Sequence, residues 1–284
     1  MEKDLIDFQK SLVIVLLTIL ILASLATFFA WTGFVNRSKD FTYDSENGTY
    51  HATANWKKDT DNAPVIIFLH GFGSLKGWYS WMVEPFREAG YLFIQIEIPN
   101  PLLGDITSGG NPEVYYEAFT RCIDKLSEIN ELSEVGNFEE ITVMGHSIGG
   151  LASLVASTTD NRIKKVIALS PPVHASDLLR PTNIPVSVLL LVGTEETNIF
   201  EGNTMSLYDG VLLYYDDLIS PKKQLIVIEG GDHIQYMDGL MVSFINFISN
   251  FIELPFIGNE QALISTEEQH EQMISNCLEF LGEI

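Results

Sequence analysis

The segment ITVMGHSIGGLASLVAS, Ile141–Ser157, decides the fold. Its first four residues are a short apolar run, as expected of a strand buried on both faces. From Ile148 onward the same segment reads as an apolar helix. Between strand and helix lies Gly145-His146-Ser147-Ile148-Gly149, a pattern that belongs on a sharp strand-to-helix turn. The glycines are needed because that turn brings backbone and helix too close for side chains. Ser147 then projects at the carboxyl end of the sheet, where open α/β sheets carry their sites. A five-residue pattern also occurs by chance, so its weight comes from the strand before it and the helix after it.

Outward from this turn, strand and helix alternate. Val65–Leu69 is an apolar run, followed by a helical stretch over Trp78–Ala89 that Gly90 closes. Tyr91–Ile98 is the next strand, then a Pro- and Gly-rich loop through Asn111. Pro112–Asn130 reads as a helix with proline in its first turn. Val166–Leu169, Val186–Val192 and Gln224–Ile228 are further strands, and a closing helix falls near Thr266–Leu281. The fold class expected is therefore α/β, a mainly parallel doubly wound sheet flanked by helices.

Ahead of that alternation the chain changes character. Ser11–Val35 holds no charged residue, and about 20 apolar residues suffice to cross a bilayer. Residues 1–10 are read as a flank and 11–35 as a single-pass transmembrane anchor, with Trp31 as an interfacial aromatic. A cleaved signal peptide, ending near Ser24-Leu25-Ala26, is the rival reading. Residues 36–63 read as a polar linker carrying one edge strand, Thr49–Trp56, and Asn47-Gly48-Thr49 is a glycosylation sequon. Residues 64–284 form the main domain, expected on the extracytoplasmic side, with an apolar insert over 239–264. Within that insert Met241–Ile257 is read as a core-packing helix, a flap, or a helix on the bilayer surface.

Composition removes some function classes. With 16 basic against 38 acidic residues the formal charge is −22, which repels nucleic acid phosphates. No nucleic-acid partner is expected. Cys122 and Cys277 lie far apart in helical segments and have no metal-ligand spacing. They read as two buried thiols, and no metal is expected.

A serine hydroxyl attacks only when a base removes its proton. Of six histidines, His70 and His146 belong to turn motifs, His51 precedes the core, His174 lies in a loop and His270 in an acidic helix. His233, in Glu229-Gly230-Gly231-Asp232-His233 beyond the last strand, is left as the base, with a surface-loop histidine as the alternative. An acid must hold its tautomer and is sought after Val186–Val192. Glu196 is the choice and Glu195 the reserve. Two backbone N–H groups are needed for the oxyanion, and Ile148 and Phe72 of His70-Gly71-Phe72-Gly73-Ser74 are the candidates. Trp78, Tyr79 and Trp81 either line an apolar acyl pocket or form the buried face of their helix.

LHGFGS, GHSIGG, LLLVGTEE and EGGDH, in this order, resemble the α/β-hydrolase superfamily from about Pro64 to His233. Within it the chain is most similar to the lidless dienelactone-hydrolase and cutinase, or polyester-hydrolase, esterases. The resemblance implies esterase chemistry through an acyl-enzyme, without cofactor, while the anchor and the apolar insert point to a small hydrophobic ester as substrate. It assigns Ser147 as nucleophile, His233 as base, and Phe72 and Ile148 as oxyanion donors. Many members place an aspartate where this chain has Glu196, and the polyester-hydrolase pattern places it one residue later, at Thr197. Only Pro171–Pro185 stands where caps are often inserted, so an open site is expected. An acyltransferase or peptidase using the same triad, and a non-catalytic binding protein of the same fold, are the alternatives.

Overall fold

The computed structural model describes residues 36–99, 112–173, 180–196, 205–249 and 262–282. These form a sheet of eight strands in the order β1-β2-β4-β3-β5-β6-β7-β8. The strands are β1 Asn36–Ser45, β2 Gly48–Lys57, β3 Ala63–Leu69, β4 Leu92–Glu97, β5 Gly136–His146, β6 Ile163–Leu169, β7 Ser187–Gly193 and β8 Lys223–Ile228. Strands β3 to β8 pair in parallel, and the β1–β2 hairpin adds to β4 antiparallel. The chain runs from β3 to β4 on one side, then resumes with β5 on the other side of β3. That reversal opens a crevice at the carboxyl ends of β3 and β5. The Ser147 turn lies there.

The helices are α1 Val83–Glu88, α2 Pro112–Leu126, α3 Asn130–Val135, α4 Ile148–Thr159, α5 Leu207–Asp217, α6 Gly239–Ser249 and α7 Thr266–Gly282. They sit on both faces of the sheet. Along β3, Val65, Ile67 and Leu69 point into one apolar layer with α2, α4 and α5. Ile66 and Phe68 point into the other, which holds Phe86 of α1 and Met273, Cys277 and Phe280 of α7. Burial on both faces is why these strands read as unbroken apolar runs. The two cysteines are buried and free, one in each layer.

Several elements differ from expectation. The segment read as a polar linker holds strand β1 as well as β2. Along β1 only Phe41 and Tyr43 are buried, on one face, so its composition is that of a half-solvated edge. Asn47 at the hairpin donates from Nδ2 to Glu117 Oε1 (2.7 Å). The stretch Trp78–Ala89 is divided into a 3-10 segment, Lys76–Met82, and α1. Pro85 has no N–H to give a preceding turn, so it stands in the first turn of a new helix. Helices α3 and α5 were not read from sequence. The start of α5 is capped by Ser206 Oγ, which accepts the Asp209 N–H.

The apolar insert is resolved in part as α6. Val242 and Ile245 are buried, while Leu240, Phe244 and Phe247 are 82, 54 and 63% exposed. It packs as a core helix on one face and turns an apolar row to solvent on the other. Residues 250–261 of the insert lie outside the described residues, as does the anchor expected at 11–35. Among the described residues no helix is long and apolar enough to cross a membrane.

Candidate active site

Ser147 joins β5 to α4 with φ 54° and ψ −124°, a conformation that costs about 1–3 kcal/mol for a residue with a side chain. The surroundings hold it there. The Ser147 N–H donates to the Leu169 carbonyl of β6 (2.8 Å), and its carbonyl accepts the Leu151 N–H. A Cβ on residue 145 would lie 2.2 Å from the Gly149 carbonyl carbon, and one on residue 149 would lie 2.3 Å from the Leu69 oxygen. Glycine is required at both places by close approach.

The loop after β3 presses directly on this turn. A Cβ on Gly71 would stand 3.2 Å from Ser147 Cβ, so Phe72 and Ile148 flank the nucleophile from two elements. Behind them lies a buried polar network. The Tyr79 hydroxyl is 2.8 Å from His146 Nδ1 and 3.2 Å from Ser74 Oγ, and it accepts the Gly71 N–H at 3.5 Å. Ser74 Oγ in turn donates to the Gly71 carbonyl (2.7 Å). His70 places Nδ1 2.8 Å from the Gly71 oxygen and Nε2 2.8 Å from Glu97 Oε1. Tyr79 therefore braces the loop rather than lining an acyl pocket. Trp81 also belongs to the buried layer: it stacks on His270 at 3.4 Å, and its Nε1 donates to the Tyr236 carbonyl.

On the other side of the turn stands His233, 7% exposed, at the start of the short Ile234–Tyr236 turn after β8. Its ring centroid is 4.6 Å from that of His146. Its Nδ1 is 3.0 Å from Glu196 Oε2. Of the two glutamates considered, Glu196 is the one brought to His233, and it is 1% exposed. Glu195 instead accepts from Thr194 Oγ1 at a partly open position. The other oxygen of Glu196 accepts from the Gly193 N–H (2.6 Å) and from Ser170 Oγ (2.5 Å). Thr197 lies outside the described residues.

Burial, and after it the neighbouring His233, push the His146 imidazole well below its ordinary pKa, so it stays neutral beside the nucleophile. Burial raises the Asp232 carboxyl, an effect that the Gln235 N–H it accepts partly offsets.

Two residues near the site were missed. Ser170 ends β6 with φ 47°, and its only sequence signal is a serine at the carboxyl end of a buried strand. Gln269 of α7 hydrogen-bonds the loop before His233, and nothing local to its position marks it.

Comparison with known proteins bears on what this arrangement is. Residues 64–187 match the family model of the alpha/beta hydrolase fold. The chain is 28% identical over 118 residues to phospholipase YtpA of Bacillus subtilis, covering 41% of this chain and 43% of that protein. It is 29% identical over 117 residues to a probable 1-alkyl-2-acetylglycerophosphocholine esterase of Arthroderma benhamiae, covering 37% of this chain and 30% of that protein. The chain thus spans less than half the length of these curated relatives. Among solved structures, a ferulic acid esterase from Streptomyces cinnamoneus superposes with TM-score 0.65 at 12% identity, covering 87% of this chain and 88% of that one. An esterase of Pyrobaculum calidifontis gives 0.60 at 14% identity, covering 86 and 84%. These likenesses meet the expected superfamily and do not bear on the narrower dienelactone-hydrolase and cutinase branch.

Replacing Tyr79 by Phe removes the hydroxyl and leaves a buried histidine nitrogen unpaired. Urea unfolding of Tyr79→Phe is expected to show a loss of about 1–3 kcal/mol. A loss well under 0.5 kcal/mol, on the order of an ordinary surface change, would show that the network does not brace the loop.

Proposed function

We propose that this chain, an α/β hydrolase by fold, cleaves carboxylic esters through an acyl-enzyme, with Ser147, His233 and Glu196 as its triad. The single observation that carries the reading is the buried Glu196–His233 contact at 3.0 Å beside the strained Ser147 turn. A carboxylate, an imidazole and a serine on a strand-to-helix turn converge at one sheet edge for little other chemistry.

The steps follow from the groups. Glu196 accepts the Nδ1–H of His233, which leaves Nε2 unprotonated as the base. Ser147 Oγ attacks the ester carbonyl while its proton passes to His233, and Glu196 stabilises the imidazolium that forms. The backbone N–H groups of Phe72 and Ile148 take the oxyanion, each such donor being worth on the order of 10²–10³ in rate. His233 then protonates the departing alcohol. Water, deprotonated by the same nitrogen, attacks the acyl-serine and releases the acid.

The substrate class proposed is a hydrophobic, lipid-like ester, met by a chain anchored in the membrane through residues 11–35. Three features support it. Leu240, Phe244 and Phe247 are spaced four and three residues apart, so they share the solvent face of α6. The uncharged run Ser11–Val35 ends immediately before β1 begins at Asn36. Two relatives bear the names of a phospholipase and a phosphocholine-lipid esterase.

Three outcomes are expected. Ser147→Ala abolishes both fluorophosphonate labelling and turnover of a small aryl ester while keeping the circular dichroism of the parent; residual turnover at the parent rate would rule out the assignment. Glu196→Gln presents an NH₂ to His233 Nδ1 and so turns the ring to the tautomer that has its proton facing Ser147. It lowers kcat by roughly 10³–10⁴-fold, and a loss below tenfold would remove Glu196 from the triad. Membranes carrying the full chain retain it through an alkaline carbonate wash and release it to detergent. Recovery in the carbonate supernatant would discard the anchor.

A further inference from the structure

The loop that carries His233 is gripped from the C-terminal helix. Ser265 caps α7, its Oγ accepting the Glu268 N–H at 3.1 Å. That cap fixes where the helix begins and hence where residue 269 points. Gln269, fully buried, accepts the Asp232 N–H at Oε1 (3.0 Å) and donates from Nε2 to the Asp232 carbonyl (2.9 Å). Both backbone groups of the residue preceding His233 are thus paired with one side chain. The contact is tight, since a Cβ on Gly231 would lie 2.6 Å from Gln269 Oε1.

Other bonds hold the loop on either side of this point. The Leu263 N–H donates to the Gly230 carbonyl (2.8 Å), and Gln235 Nε2 donates to the Ile264 carbonyl (2.8 Å). Neither touches the peptides that immediately set the His233 ring. That ring has two demands at once, Nδ1 on Glu196 and the opposite nitrogen toward Ser147, and a displacement of about 1 Å can cost on the order of 10²-fold in rate.

We infer that Gln269 is a positioning residue for His233, its side-chain amide acting as a two-point clamp on Asp232. The inference rests on His233 being the base. Glutamine suits the task because it offers one acceptor and one donor at a fixed spacing. A carboxylate offers acceptors alone, and an aliphatic side chain leaves two buried backbone groups unpaired.

The test uses the full chain with a small aryl ester, comparing Gln269→Ala, Gln269→Glu and Ser147→Ala. Gln269→Ala is expected to lower kcat about 10–100-fold with KM within about twofold of the parent. Gln269→Glu, almost isosteric, meets the Asp232 carbonyl with a donor only while protonated. Across from it stands Asp232, whose carboxyl interacts electrostatically with Glu196 and His233; Glu267, Glu268 and His270 neighbour it on its own helix. Burial beside the Asp232 carboxyl raises the introduced carboxyl above the ordinary glutamate range. The variant's kcat should therefore fall as the pH rises through that ionisation and recover as the pH is lowered below it, a limb that the parent lacks. A purely structural role moves stability without adding that limb. Unchanged kcat and an unchanged pH profile in both variants would overturn the clamp, and if Gln269→Ala does not fold, the Gln269→Glu profile decides. An active Ser147→Ala would instead overturn the hydrolase reading itself, so the two failures are separable.

Discussion

A row of backbone hydrogen bonds across the carboxyl ends of β5, β6, β7 and β8 holds the rest of the site in place. The Ser147 N–H donates to Leu169, the Ser170 N–H to Leu191 and the Thr194 N–H to Ile228, at 2.8, 2.8 and 3.1 Å. Each bond ties the residue just past one strand to the end of the next. Two of the three donors are serines at positive φ, which such residues avoid unless the surroundings over-determine them. The sheet supplies that over-determination because β5, β6 and β7 are buried on both faces where they approach the site and cannot slide without exposing apolar surface.

The loops at the ends of these strands also place the Glu196 side chain. Relative to an aspartate, one extra methylene must be absorbed between β7 and His233. Glu196 does so by lying back across its own turn, with Oε1 held by the Gly193 N–H and the Ser170 hydroxyl, while Oε2 reaches His233. Ser170 can donate there because its strained backbone points the hydroxyl along the strand ends. Beyond it, the loops that carry Glu196 and His233 are joined directly. The Gly230 N–H donates to Thr194 Oγ1 (2.8 Å), and the Glu195 N–H donates to the Gly231 carbonyl (3.0 Å). A carboxylate that accepts three hydrogen bonds in a dry site has little freedom to leave its partner.

What could be read in the sequence divides along physical lines. The inner parallel strands, β3 to β7, were legible because burial on both faces writes an unbroken apolar run, and the Ser147 turn because it demands glycines at fixed offsets. The pairing of His233 with Glu196 was anticipated from chain order and from distance along the sequence, and the two side chains do meet. Strand β1 was not legible, since an edge with one wet face has no apolar run to show. Tyr79 could be read as pocket lining or as a buried helix face, because an aromatic side chain carries no sign of where its hydroxyl will land. Ser170 and Gln269 act through contacts with loops 26 and 37 residues away, and no local pattern records such a partner. Periodicity reports burial; it does not report hydrogen bonds made at a distance.

The charge of the chain bears on the substrate through the same distinction between what is buried and what is exposed. A formal −22 is spread over the sequence, yet Gly239–Ser249 contains no charged side chain. An acidic surface repels anionic lipid headgroups and anionic substrates alike, so only an uncharged face can approach a lipid surface closely. Helix α6 begins six residues after His233, just past the Ile234–Tyr236 turn. The proposed lipid-like ester, if neutral or zwitterionic, is compatible with both features, whereas the acidic surface would repel a small anionic ester.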